Sequence, residues 1–123
     1  MEIKISHKPV AYKEAMNFLE QRVEKVHTNI ESELIWILEH DSVYTRGISA
    51  HDKDLLIPNL FPVIETNRGG KFTYHGPGQK IVILSSILIN AKKKLKNLSA
   101  MLKNGSFLFL KILIFHHLLI LKI

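Results

Sequence analysis

The chain has no cysteine among its 123 residues. That absence excludes disulfides, thiolate-bound zinc and a cysteine nucleophile. Acidic residues are missing from the last third: residues 91–123 hold seven lysines and no Asp or Glu, whereas residues 1–90 hold 10 Lys and Arg against 11 acids. The net charge of +6 therefore belongs to one end of the chain rather than to a basic face, and no nucleic-acid partner is expected. Proline, tryptophan, tyrosine and arginine are also absent after Ser85, and Gly105 is the one glycine there. An uninterrupted membrane-length run is missing as well. A span needs about 20 mostly apolar residues, and the most apolar stretch, "SFLFLKILIFHHLLILKI", is broken by Lys111, His116 and His117. No membrane anchor is expected from it. Adjacent histidines project to different sides of a helix or strand, so they make a poor metal pair and no metal site is read from them. The first residues, "MEIKISHKPV", contain no apolar signal core, and the expected location is cytoplasmic.

What remains suits one domain of modest core size. "MEIKIS" alternates Met1, Ile3 and Ile5 with polar residues, the pattern of a half-buried strand. From Tyr12 the apolar residues Tyr12, Ala15, Met16, Leu19, Val23 and Val26 recur at helical spacing and predict about four turns with one core-facing stripe. "ELIWILEH" reads as a buried strand of a mixed or parallel sheet. "SVYTRG" is a short strand ending at a glycine turn, and Pro58 and Asn59 break "HDKDLLIPNL" into loop. "FPVIETN" and "KIVIL" are the last two strands. The fold class is therefore α+β: a mixed sheet with flanking helices.

Between those two strands lies "RGGKFTYHGPGQ", residues 68–79, which holds four of the six glycines in the chain. Gly69-Gly70 permits positive φ and close approach to main-chain amides; Gly76-Pro77-Gly78 makes a rigid corner after His75. Arg68 can offer a planar fork to an anion or brace the loop from behind. His75 can donate a hydrogen bond or handle a proton near neutral pH. Open amides beside an imidazole suit a carbonyl or acyl group, and the alternative is a hairpin with turn glycines. The motif has neither the Gly-Lys-[Ser/Thr] ending of a phosphate loop nor a dinucleotide Gly-x-Gly-x-x-Gly.

The same stretch resembles the signature of the octanoyltransferases of lipoate synthesis. "LEH" at Leu38–His40, "VYT" at Val43–Thr45 with Gly47, and the Tyr12–Ala15 spacing resemble that family too, over residues 1–82 in all. The resemblance implies a fold similar to the biotin and lipoate protein ligase catalytic domain, here truncated. It implies transfer of octanoyl from acyl carrier protein, through a cysteine thioester, to a lysine of a lipoyl domain in 2-oxoacid dehydrogenase or glycine-cleavage proteins, with no cofactor. The substrate-binding residues it implies are Arg68, Gly69, Gly70, Lys71, Phe72, Thr73, Tyr74 and His75, with Gly69 and Gly70 lining the acyl pocket. His40 stands near the reacting thioester on the same reading, or is a buried histidine bonded to backbone. The family's cysteine and the lysine that lowers its pKa have no counterpart here, so no catalytic residue is assigned and an inactive chain is expected. Residues 83–123 read as an unmatched basic, apolar tail produced by a shift of reading frame near codon 82. The alternative reading is a non-catalytic remnant or a membrane-tethered binding protein.

Overall fold

The computed structural model describes residues 1–85, 111–115 and 118–122. The chain opens with β1 (Glu2–Ile5), which leads through Val10 into α1 (Tyr12–His27), and then β2 (Leu34–Leu38) and β3 (Val43–Arg46). A short 3-10 turn at Asp52–Asp54 precedes β4 (Val63–Glu65), β5 (Phe72–His75) and β6 (Ile81–Ser85). β7 (Lys111–Phe115) and β8 (Leu118–Lys122) complete the described strands. They form two sheets, a five-stranded one ordered β1-β2-β6-β8-β7 and a three-stranded one ordered β4-β3-β5. β1 runs parallel to β2 and β6 antiparallel to it, so the larger sheet is mixed as expected.

The helix forms where the stripe predicts it. Tyr12, Ala15, Leu19 and Val26 are buried, and Ala15 and Leu19 meet Leu34, Trp36, Leu38, Ile81 and Ile83 in one core cluster. Alternate residues of β2 and β6 supply that face because side chains along a strand alternate between its two sides. Arg22 is the polar member of the stripe. Its guanidinium donates to the Ser32 carbonyl at 2.9 Å, pairs with Glu31 at 2.7 Å and also pairs with Glu2, so one buried cation ties α1 to β1 and to the turn before β2. At the C-terminus Thr28 Oγ1 donates to the Glu24 carbonyl at 2.9 Å, and Asn29 takes a positive φ of 58° to end the helix.

Two expectations change. The strand at "MEIKIS" exists, but Ile3 and Ile5 are 58% and 54% exposed, not buried. β1 is an edge strand, and the side it turns to α1 carries Lys4, whose ammonium lies over Trp36 and Phe18 with Nζ 4.3 and 4.0 Å from the ring centres. The glycine motif does not simply connect two strands: its middle is itself β5, paired antiparallel with β3. Among the described residues one α-helix flanks the sheets. β6 runs across residues 82 and 83, with all five residues buried, and pairs with β8 on its far side. No helix among the described residues is long and apolar enough to cross a membrane. His116 and His117 lie outside the described residues.

Leu19 fills the centre of the α1–β2–β6 layer. Leu19→Ala is expected to cost about 2–5 kcal/mol of unfolding free energy, the range for a truncated core leucine, read from denaturant melts. A loss under about 1 kcal/mol would mean that the helix does not close this core.

Candidate functional site

Val10 begins the construction. Its N–H donates to the Glu39 carbonyl at 2.8 Å, and its own carbonyl accepts from His40 Nδ1 at 2.8 Å. This short parallel bridge fastens the entrance of α1 to the end of β2 and brings Tyr12 to His40, ring centres 5.1 Å apart. A carbonyl can only accept, so Nδ1 carries the proton of the neutral imidazole. His40 is 1% exposed, and burial lowers its pKa, partly offset by the Val10 bond and by Asp41. His75, 5% exposed at the end of β5, completes the cluster: its ring lies 5.7 Å from Tyr12 and 5.7 Å edge-on from His40.

Strand alternation divides the motif between two faces. Thr73 and His75 share a face and register with Thr45 and Val43 of β3, while Phe72 and Tyr74 share the other with Arg46 and Tyr44. On that second face the Tyr74 ring packs 5.3 Å from Phe61 and 5.9 Å from Tyr44, and its hydroxyl meets Ser42 Oγ at 3.1 Å. Phe72 lies under the Arg46 guanidinium, 5.7 Å from the ring centre. Of the eight motif residues read from the sequence, the structure thus brings His75 to His40, leaves Thr73 on the same strand face as His75 and sets Phe72 and Tyr74 on the other.

Arg68 takes the bracing role. It is buried and donates to the Thr45 carbonyl at 2.7 Å, Thr45 Oγ1 at 3.0 Å, the Lys71 carbonyl at 2.7 Å and the Gly69 carbonyl at 3.0 Å. No carboxylate pairs with it among the described residues, and burial pulls its pKa down, with Tyr12 acting in the opposite sense. Tyr12 shows the mirror effect: burial raises its phenol pKa and Arg68 moderates the rise. Thr45, a site residue the sequence reading passed over, joins the two halves. It is wholly buried, and its hydroxyl stands 3.4 Å from His75 Nε2 while accepting from Arg68. Its context, "VYT", belongs to the family resemblance, but nothing there marks Thr45 as the link between Arg68 and His75.

The loop hands its carbonyls inward. Those of Arg68, Gly70 and Lys71 accept from the amides of Ile48, Ser49 and Gly47, and that of Gly69 from Arg68 itself. Gly69 and Gly70 are exposed, and their amides take no protein acceptor among the described residues. Gly70 has φ +91°, the left-handed region that favours glycine. Gly69 has neither positive φ nor anything within 4 Å of a Cβ, so the expectation of positive φ holds at one glycine of the pair. Lys71 reaches outward to Asp54 at 2.9 Å. Among the described residues no group of His, Asp and Glu is placed to hold a metal ion.

The model of the lipoyl protein ligase A/B catalytic domain matches residues 11–105, a range that extends past residue 82. The chain is 47% identical over 96 residues to the octanoyltransferase of Ehrlichia chaffeensis, covering 78% of this chain and 44% of that protein. It is 47% identical over 100 residues to the octanoyltransferase of Bartonella bacilliformis, covering 81% of this chain and 40% of that one. The chain thus spans about two fifths of the length of these relatives. Among solved structures, P. falciparum LipL1 in complex with lipoate superposes with a TM-score of 0.60 at 10% identity, over 99% of this chain and 46% of that one. The bi-partite lipoate protein ligase of Thermoplasma acidophilum gives 0.54 at 12% identity, over 99% and 60%. At such identities these two establish a shared fold.

Two outcomes follow from the geometry. A Cβ on Gly47 would stand 2.2 Å from the Gly70 carbonyl oxygen, whereas one on Gly69 meets nothing. Gly47→Ala is expected to destabilise by about 1–3 kcal/mol and Gly69→Ala by under about 0.5 kcal/mol; equal losses in denaturant melts would refute the packing of loop against turn. For His40 the folded pKa lies below its ordinary 6.5, so the unfolded chain binds the proton more readily. The stability this contributes is complete above pH 6.5 and is lost as pH falls through the folded value. Melting temperature should drop between pH 7.5 and 5, and less steeply in His40→Gln; an unchanged slope in the variant would remove His40 from the pH response.

Proposed function

The chain belongs to the lipoyl protein ligase A/B catalytic domain family, and from that premise we propose that its glycine motif is the acyl-recognition part of an octanoyltransferase site. The substrate on this reading is octanoyl carried as a thioester on acyl carrier protein, and the acceptor is a lysine of a lipoyl domain in 2-oxoacid dehydrogenase or glycine-cleavage proteins. One observation carries the reading: the exposed amides of Gly69 and Gly70 have no protein acceptor among the described residues, while every carbonyl of the same loop is engaged. Such donors suit the thioester carbonyl, whose oxygen gains charge as a nucleophile adds to the carbon.

The roles divide accordingly. Gly69 and Gly70 receive the carbonyl. His75 and His40 stand behind it, and His40, neutral near pH 7, keeps the Nε2 lone pair for a proton. Arg68 touches no substrate; it holds the loop so that the amides stay open. Lys71, beside them, is held out toward Asp54. Transfer through a covalent acyl-enzyme needs a thiolate or an activated hydroxyl, and this chain has no cysteine. The reading is therefore a site that recognises the acyl group without forming the thioester.

The test pairs two measurements on the full chain. After incubation with octanoyl-acyl carrier protein, intact mass should show no octanoyl adduct. Turnover near 1 per second, within the ordinary enzyme range, would mean that another residue replaces the thiol. Titration with octanamide should shift the Gly69 and Gly70 amide resonances with roughly millimolar affinity, and Gly70→Val should abolish the shifts. Tight binding that survives Gly70→Val would overturn the assignment of this loop.

A further inference from the structure

β1 is the edge of the larger sheet, and no described strand lies on its outer side. The ladder to β2 fixes which of its groups are free. The amides of Glu2 and Ser6 donate to the carbonyls of Glu33 and Ile37, so the even-numbered residues spend their N–H and C=O groups on β2. In a parallel pair both groups of a residue face the same neighbour. Met1, Ile3 and Ile5 therefore turn theirs toward the open edge. Their side chains are also exposed, at 69%, 58% and 54%.

An edge with free ladder groups and an apolar row is a template for another strand, and here the sequence selects the partner. In antiparallel self-pairing, directly opposed residues alternate between hydrogen-bonded and non-hydrogen-bonded pairs. The registers compatible with the free groups of β1 match odd residues with odd and even with even. Centred on Ile3, the register opposes Ile3 to Ile3, Met1 to Ile5, and Glu2 to Lys4. Moved by one step in either direction, it opposes Glu2 to Glu2 or Lys4 to Lys4. Opposite charges facing across strands stabilise and like charges destabilise, so the charge order of "MEIKI" favours the central register. Glu2 keeps about half of its side-chain surface open despite its pairing with Arg22, leaving it available for a second cation. We propose that two copies of this chain associate through β1, antiparallel and centred on Ile3, extending the five-stranded sheet across a two-fold axis.

The absence of cysteine makes this directly testable in the full chain. Opposed residues of a hydrogen-bonded pair lie about 5.5 Å apart at Cα, within the span of a disulfide. Under mild oxidation Ile3→Cys should give a covalent dimer, whereas Ile48→Cys, more exposed in the loop after β3, should remain monomeric. Equal cross-linking of both, or of neither, would overturn the proposal. Charge variants give the independent reading by sedimentation velocity. Glu2→Lys and Lys4→Glu should each weaken self-association by roughly tenfold, and their equimolar mixture should restore it, because each copy then opposes the charges of the other. Single variants that associate as strongly as the parent would also overturn it. If either variant loses helical circular dichroism, the cross-linking result decides alone.

Discussion

A buried guanidinium organises the small sheet and the loop beside it. Arg68 gathers the carbonyls of Gly69 and Lys71 and both oxygens of Thr45, so that turn and strand share one donor group. A cation removed from water is costly unless its protons are taken up; here neutral oxygens take them, and no carboxylate does among the described residues. The fork of the group matters as much as its charge, because its N–H donors, spread around one planar edge, reach separated oxygens that a compact ammonium could not serve together. Loop geometry, open amides and the approach of Gly47 to Gly70 all descend from this contact.

The two sheets meet through the ends of their strands. The Val10–His40 bridge closes the large sheet at the helix entrance, and Val43 opens the small one three residues later, opposite His75. A buried aromatic cluster therefore forms at the junction without any long excursion of chain. The arrangement buries Tyr12, His40 and His75 together, where a hydrogen bond is stronger than at an open surface.

Much of the framework could be read in advance because burial on one face leaves a period in the sequence. The stripe of α1 and the runs "LIWIL" and "IVIL" follow that rule. β1 did not, since alternation marks two faces without saying which is covered, and here the face toward the rings of Phe18 and Trp36 carries the ammonium of Lys4. In the glycine motif, composition revealed a special backbone but not that its centre extends into β5. The motif's split across two faces needed the register with β3, which depends on contacts some 30 residues apart. Thr45 escaped notice for the same reason: its part is set by Arg68 and His75, and nothing near it in the chain announces them.

Trp36 is the single tryptophan of the chain. Its ring lies 4.9 Å from Phe18 and under Lys4, and its indole N–H donates to Ser6. Tyr44 and Tyr74, two of the three tyrosines, sit together on the small sheet with Phe61. The molecule thus carries a separate chromophore in each layer. Indole emission reports on the helix-covered sheet, phenol near-ultraviolet dichroism on the sheet that holds the loop, and their transitions can be followed side by side without attaching a label.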